Sequence, residues 1–201
     1  TSKIVNVGVQ QGGIEKAAIE TIGEETLNKL ILFMDSTDKE YILNQYKKDG
    51  TYKGETIYEL KNNSDKEKVS SILAKPMLIV SYIGQEHNDS TNENVISFDL
   101  PKDVDLYQAL SMMSDLDKEK MLNDINQTIK DIPDTIIDQA AVNYVKTEYE
   151  RIGVDTDQIQ TMYIFKVGLI MLGIALAAML VGILIVFIGS RMAARLAKTL
   201  R

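Results

Sequence analysis

A chain of 201 residues with a formal charge of −7 and no cysteine has room for one domain of ordinary size plus a short appendage, and it carries neither a disulfide framework nor a thiolate metal site. The charge is split: residues 1–161 hold all 29 Asp and Glu, a formal −12, whereas residues 162–201 hold Lys166, Arg191, Arg195, Lys198 and Arg201 and no acid, a formal +5. So acidic a first part offers no basic face to phosphates, which excludes nucleic acid as a partner, and about 150 residues suffice to hold a domain by its own core.

The chain opens on the mildly apolar Lys3-Ile4-Val5-Asn6-Val7-Gly8-Val9, followed by the breaker-rich Gln10-Gln11-Gly12-Gly13. Residues 1–11 are expected to be the last turns of a preceding transmembrane helix. Residues 12–157 then read as an acidic, mainly α-helical domain with one or two short strands. Leu27, Leu30, Ile31 and Met34 recur at i, i+3, i+4 and i+7, which predicts a helix over 24–34. Thr37 with Glu40 has a capping-box spacing and predicts a helix towards Tyr46 that Asp49-Gly50 ends. Thr56–Leu60 suits a short strand. Ser64 with Glu67 repeats the capping pattern ahead of Val69, Ile72 and Leu73. Pro76 is expected to break or restart the chain before Met77–Ile83, an apolar run that fits a strand or a buried helix equally well.

Between Ile83 and Val104 the sequence predicts a polar loop, His87–Asn94, and a strand at Val95–Asp99. Beyond these the helical pattern firms up. Val104–Met113 is one short helix. Asp117–Asp131 follows, with Met121, Leu122, Ile125, Ile129 and Ile132 along one side. Pro133 opens a helix to Ile152 whose apolar face is Ile137, Ala141, Tyr144, Val145 and Ile152, and Gly153 stops it.

From Val167 to Gly189 the sequence has 23 residues without a charge, enough at about 1.5 Å per residue to span a hydrocarbon core of roughly 30 Å. Residues 158–201 are therefore expected to be a transmembrane helix with an extension, in contact with the lipid bilayer. Arg191, Arg195, Lys198 and Arg201 follow the span, whereas Asp155 and Asp157 precede it. By the positive-inside rule the C-terminus is cytoplasmic and residues 12–157 are extracellular, at the cell membrane. Lys166 stands at the boundary, where it either snorkels to the headgroups or faces a water-filled pathway. Gly168, Gly173, Ala178 and Gly182 are small enough to admit a neighbouring helix, Ala178 and Gly182 at the small-xxx-small spacing.

Catalytic chemistry is nearly absent from the pattern. His87 is the single histidine and lies in the polar loop, so a His-based triad or zinc site has no support. Gly8 and Gly13 have the spacing of a phosphate-loop pair, but Ile14 and Glu15 stand where Lys and Ser or Thr are required. Asp115, Asp117 and Glu119 lack the sixth-position glycine and twelfth-position glutamate of a calcium loop. No catalytic, cofactor-binding or metal residue is expected.

Two ends and the middle of the chain resemble a known family. Ser2-Lys3-Ile4-Val5-Asn6-Val7-Gly8-Val9-Gln10-Gln11-Gly12-Gly13-Ile14-Glu15 is similar to the sequence just after the first transmembrane helix of bacterial ABC exporter half-transporters, in which a large extracellular domain is inserted between membrane helices 1 and 2. Gly189-Ser190-Arg191-Met192-Ala193-Ala194-Arg195-Leu196-Ala197-Lys198-Thr199-Leu200-Arg201 resembles the end of the second helix, and Leu27–Met34 resembles part of the insertion. The resemblance, to multidrug-type exporters of Gram-positive bacteria, implies an outer cap or gate and part of a translocation bundle. It also implies a second half-transporter subunit as heterodimer partner, an unknown transported substrate, and ATP with Mg bound by the parent protein rather than by this segment. The helical outer domain and the basic stretch after the span suit another class as well, the extracellular sensing domain and membrane helix of a bacterial signalling receptor, although the small residues of Gly168–Gly182 favour a bundle.

Overall fold

The structure, a computed structural model, describes residues 4–86 and 106–199. It is mainly helical, as expected, and carries one small sheet. In chain order a π-helix, Ile4–Gln10, leads to β1 (Thr21–Gly23), α1 (Glu24–Ile31), α2 (Ser36–Gln45), β2 (Tyr46–Tyr52), β3 (Glu55–Leu60) and α3 (Lys66–Glu86). Then come α4 (Leu106–Met112), α5 (Asp115–Thr128), a 3-10 turn (Ile129–Asp131), α6 (Asp134–Arg151) and α7 (Thr156–Thr199). The expected loop at His87–Asn94 and strand at Val95–Asp99 lie outside the described residues, as does Arg201.

α3 is the centre of the domain. Val69, Leu73, Met77, Leu78, Ile79 and Val80 are all buried, so the helix is apolar on nearly every side, with α6 and α1 packed against it. Pro76 lies inside α3 and neither breaks nor restarts it. A proline in a helix interior costs about 3 kcal/mol, while each fully buried aliphatic side chain returns about 1.5–3 kcal/mol. The six core residues outweigh the proline, and the same burial makes Met77–Ile83 helix rather than strand.

The sheet has the order β1-β3-β2, with both pairings antiparallel. β3 is the strand expected at Thr56–Leu60; β1 and β2 were not expected. α2 ends at Gln45, and Asp49-Gly50, read as its stop, instead forms a bulge in β2 where Lys48 pairs with Tyr58 and Gly50 with Ile57. Tyr46 decides the change from helix to strand: it is buried, and its hydroxyl donates to the Ile19 carbonyl at 2.7 Å. Lys53 and Gly54, both with positive φ, turn the chain between β2 and β3 in the two-residue manner that suits hairpin twist.

The helix caps fall near, but not at, the expected residues. Asp35, two residues before Thr37, caps α2 by accepting from the Asp38 N–H at 2.8 Å. Asp65 rather than Ser64 accepts from Glu67 and Lys68 N–H at the start of α3, each at 3.1 Å. The periodic helices lie close to expectation: α5 with its 3-10 turn buries Ile125 and Ile129, and α6 buries Ile137, Ala141, Val142 and Val145. The chain enters through a π-helix, in which Gln11 N–H reaches five residues back to the Asn6 carbonyl at 3.0 Å, a wider turn than the α-helical end expected there. α7 begins at Thr156, just before the expected boundary, and runs unbroken for 44 residues.

Candidate functional site at the base of the long helix

α7 is the one helix among the described residues long and apolar enough to cross a membrane. Among the described residues nothing covers its apolar part: Leu169, Val181 and Val186, on different sides of the helix, are all more than half exposed. A helix that is apolar all round and unburied needs a non-aqueous solvent, which is what a bilayer supplies. The domain is joined to this helix over its first three turns, and three devices make the joint.

The first is the turn from α6 into α7. Gly153 takes φ +73, the Val154 N–H closes back to the Tyr149 carbonyl at 2.8 Å, and Asp155 caps α7 by accepting from Gln158 N–H at 3.0 Å. The Tyr52 hydroxyl, from the end of β2, stands 2.5 Å from where a Cβ on Gly153 would be. Glycine is therefore required twice here, by the backbone angle and by the close approach.

The second is a strap formed by the N-terminal segment. Gln160 Nε2 donates to the Gly8 carbonyl at 2.8 Å. A Cβ on Gly8 would meet Ile164 Cγ1 at 3.3 Å, and one on Gly13 would meet the Gln160 Cα at 2.9 Å. Gly13 also has φ +81. The two glycines let the backbone of the strap lie directly on α7, so the beginning and the end of the domain meet on the same turns of one helix. Their phosphate-loop spacing serves this contact.

The third is a clamp of charges. Arg151, in the last turn of α6, places Nε 2.7 Å from Glu148 Oε2 and Nη2 2.8 Å from Oε1. It also places Nη1 2.6 Å from Glu55 Oε2 and Nη2 3.1 Å from Oε1. Glu148 is 4% exposed; its oxygens accept further from Gly23 N–H at 2.9 Å and the Thr26 hydroxyl at 2.8 Å. The clamp thus ties α6 to β1, α1 and β3 one turn before α7 begins. Hydrogen bonds from Arg151 hold the Glu55 carboxyl below its ordinary pKa, and those to Glu148 and Glu55 push the guanidinium still higher. Every polar group is matched, as buried charge demands, and the cluster holds the domain in shape. Sequence reading missed it, although one signal was present: Glu148 falls on the apolar stripe of α6, where a charge requires a partner.

The residues singled out on α7 separate. At 3.6 residues per turn Gly168, Ala178 and Gly182 fall within about 80° of one another, whereas Gly173 lies about 140° from Gly168. Among the described residues nothing lies within 4 Å of a Cβ position at Gly168, Gly173 or Gly182. Lys166 is exposed at the foot of the apolar stretch. Arg191 and Arg195 continue along the same helix, and the backbone at Lys198 is helical. His87 lies outside the described residues; among those described, no group of three or more His, Cys, Asp or Glu could hold a metal ion. No known protein family, curated protein or solved structure matches the chain.

Proposed function

We propose that the chain is the extracellular-domain and membrane-helix part of an ATP-driven ABC exporter permease. In this reading residues 12–157 form an outer cap or gate, and α7 crosses the cell membrane as one member of the translocation bundle. The observation that carries it is the return of the strap to α7: Gly8 and Gly13 lie against residues 159–164, immediately before the uncharged stretch 167–189. A domain inserted between two membrane helices needs both its ends at one membrane boundary, and here the two ends are held side by side on α7 by a hydrogen bond and close backbone packing. Arg191, Arg195, Lys198 and Arg201 favour a cytoplasmic C-terminus. Gly168, Ala178 and Gly182 would face a neighbouring helix, in this subunit or in a second half-transporter subunit, and ATP with Mg would act in the parent's nucleotide-binding domains. The unbroken run of α7 also favours a second reading, a signalling receptor in which the helix carries a conformational change from the domain to the cytoplasm.

Because the chain has no cysteine, single cysteines report topology cleanly. Lys53→Cys should react with a membrane-impermeant maleimide on intact cells and Ala194→Cys only after lysis; the reverse would overturn the orientation. In the parent protein, replacing residues 14–152 by a short linker should preserve basal ATP hydrolysis and alter substrate-stimulated hydrolysis or export. Unchanged transport of every substrate would dismiss the gating role, and a parent with a kinase or methyl-accepting region in place of ATPase domains would favour the receptor.

A further inference from the structure

Where the domain meets the apolar part of α7, a recess of about 500 Å³ opens between the strap, the start of α3 and the first turns of α7. Its lining includes three lysines, Lys16, Lys66 and Lys166, the phenols Tyr149 and Tyr163, and three carboxylates, Glu15, Glu20 and Glu67. Lys16 and Lys66 are already neutralised, by ion pairs with Glu67 and Glu20 respectively. Lys166 is different: among the described residues it makes no ion pair, and the 23 residues after it carry no charge. With α7 in a bilayer its ammonium stands at headgroup depth, one side against lipid and the other against the recess. An unpaired cation at that depth, beside a polar recess with two phenols, has the chemistry to hold a phosphodiester.

We propose that the recess binds the headgroup of a membrane phospholipid from the leaflet facing the domain, with the lipid phosphate on the Lys166 ammonium. The single unpaired cation matches the single negative charge of a phosphodiester, whereas a phosphate monoester would bring a second charge towards Glu15, Glu20 and Glu67. The acyl chains would lie along the exposed apolar surface of α7 below Lys166, so a lipid is favoured over a free anion. The inference rests on α7 spanning the membrane, not on the identity of the parent.

The full chain, reconstituted in nanodiscs of phosphatidylcholine and phosphatidylglycerol, tests it by native mass spectrometry of the released protein. The wild type should retain one tightly held phospholipid, and Lys166→Gln should lower that retention about tenfold, the loss expected for a charge-assisted hydrogen bond. Lys166→Arg should restore it, while Lys75→Gln, at an exposed lysine of α3 away from the recess, should change nothing. Equal retention by Lys166→Gln and wild type would overturn the site. Displacement of the lipid by millimolar inorganic phosphate would overturn the lipid as the source of the anion. Alkaline carbonate extraction keeps the two readings apart: release of the chain from membranes would overturn the spanning helix itself, and the site with it.

Discussion

Arg151 and Glu55, 96 residues apart in the chain, meet in a two-pronged ion pair with Nη1 to Oε2 at 2.6 Å and Nη2 to Oε1 at 3.1 Å. The same guanidinium holds Glu148 with two further hydrogen bonds, so one side chain at the end of α6 fixes β3 and α1 beneath the turn into α7. Glycine at position 23 belongs to this arrangement, since any Cβ there would overlap the guanidinium and the Glu55 carboxylate.

Arg151→Ala leaves Glu148 buried and short of its counter-charge, and should destabilise the domain by about 3 kcal/mol. This is the low end of the range for a broken buried pair, because the Arg151 side chain is 38% exposed. Glu55→Gln should cost about 1 kcal/mol, and the two changes together should cost less than their sum, because they share a contact. Urea unfolding of the full chain in detergent, followed by circular dichroism, gives the three values. Strict additivity would mean that the pair carries no coupling.

The clamp also sets an acid limit. Glu55 is held below its ordinary value of 4.5, first by the hydrogen bonds from Arg151. A carboxyl with a lowered folded pKa adds stability that is complete above the unfolded value and is lost as pH falls through the folded one. Stability should therefore decline below pH 4.5, and the decline should be smaller in Glu55→Gln. Asp38 works in the opposite sense, since burial and the neighbouring Asp35 raise its carboxyl, and Asp38→Asn should steepen the acid loss. Unfolding midpoints at a series of pH values from 3 to 7 would check both signs, and parallel curves for wild type and Glu55→Gln would count against the assignment.

The strap makes a paired prediction. Gly12 and Gly13 both have positive φ, but a Cβ at Gly12 meets nothing within 4 Å while one at Gly13 meets the Gln160 Cα at 2.9 Å. Gly12→Ala should cost only the backbone strain, about 1 kcal/mol. Gly13→Ala adds a clash with main chain that cannot rotate away, and should lift the strap from α7. Amide exchange at Val7 to Gly13 should accelerate in Gly13→Ala and change little in Gly12→Ala. Equal behaviour of the two would show that the strap does not bear on the helix.

Gly153 offers a test of the α6–α7 turn. Gly153→Ala meets both a φ of +73 and the Tyr52 hydroxyl at 2.5 Å, and should destabilise by more than the roughly 1–2 kcal/mol of left-handed strain alone. In a Tyr52→Ala background only the strain remains, so the same glycine substitution should cost less there. Thermal unfolding of the four proteins in the cycle measures the difference, and an unchanged cost would remove Tyr52 from the turn.

What the sequence determined on its own was whatever local pattern could specify. The uncharged run 167–189 fixed α7. The 3.6-residue spacing of Ile125 with Ile129, and of Ile137, Ala141 and Val145, fixed α5 and α6. Gly153 ended α6 through an angle that other residues rarely adopt. The tertiary structure decided wherever a distant partner outweighed that pattern. Pro76 stays inside α3 because burial of the residues around it exceeds the cost of one lost hydrogen bond. Tyr46–Tyr52 is strand because β3 lies beside it and the Ile19 carbonyl awaits the Tyr46 hydroxyl. The strap on α7 and the grip of Arg151 on Glu55 and Glu148 join residues far apart in sequence, and no local spacing encodes contacts that exist only once the chain has closed on itself.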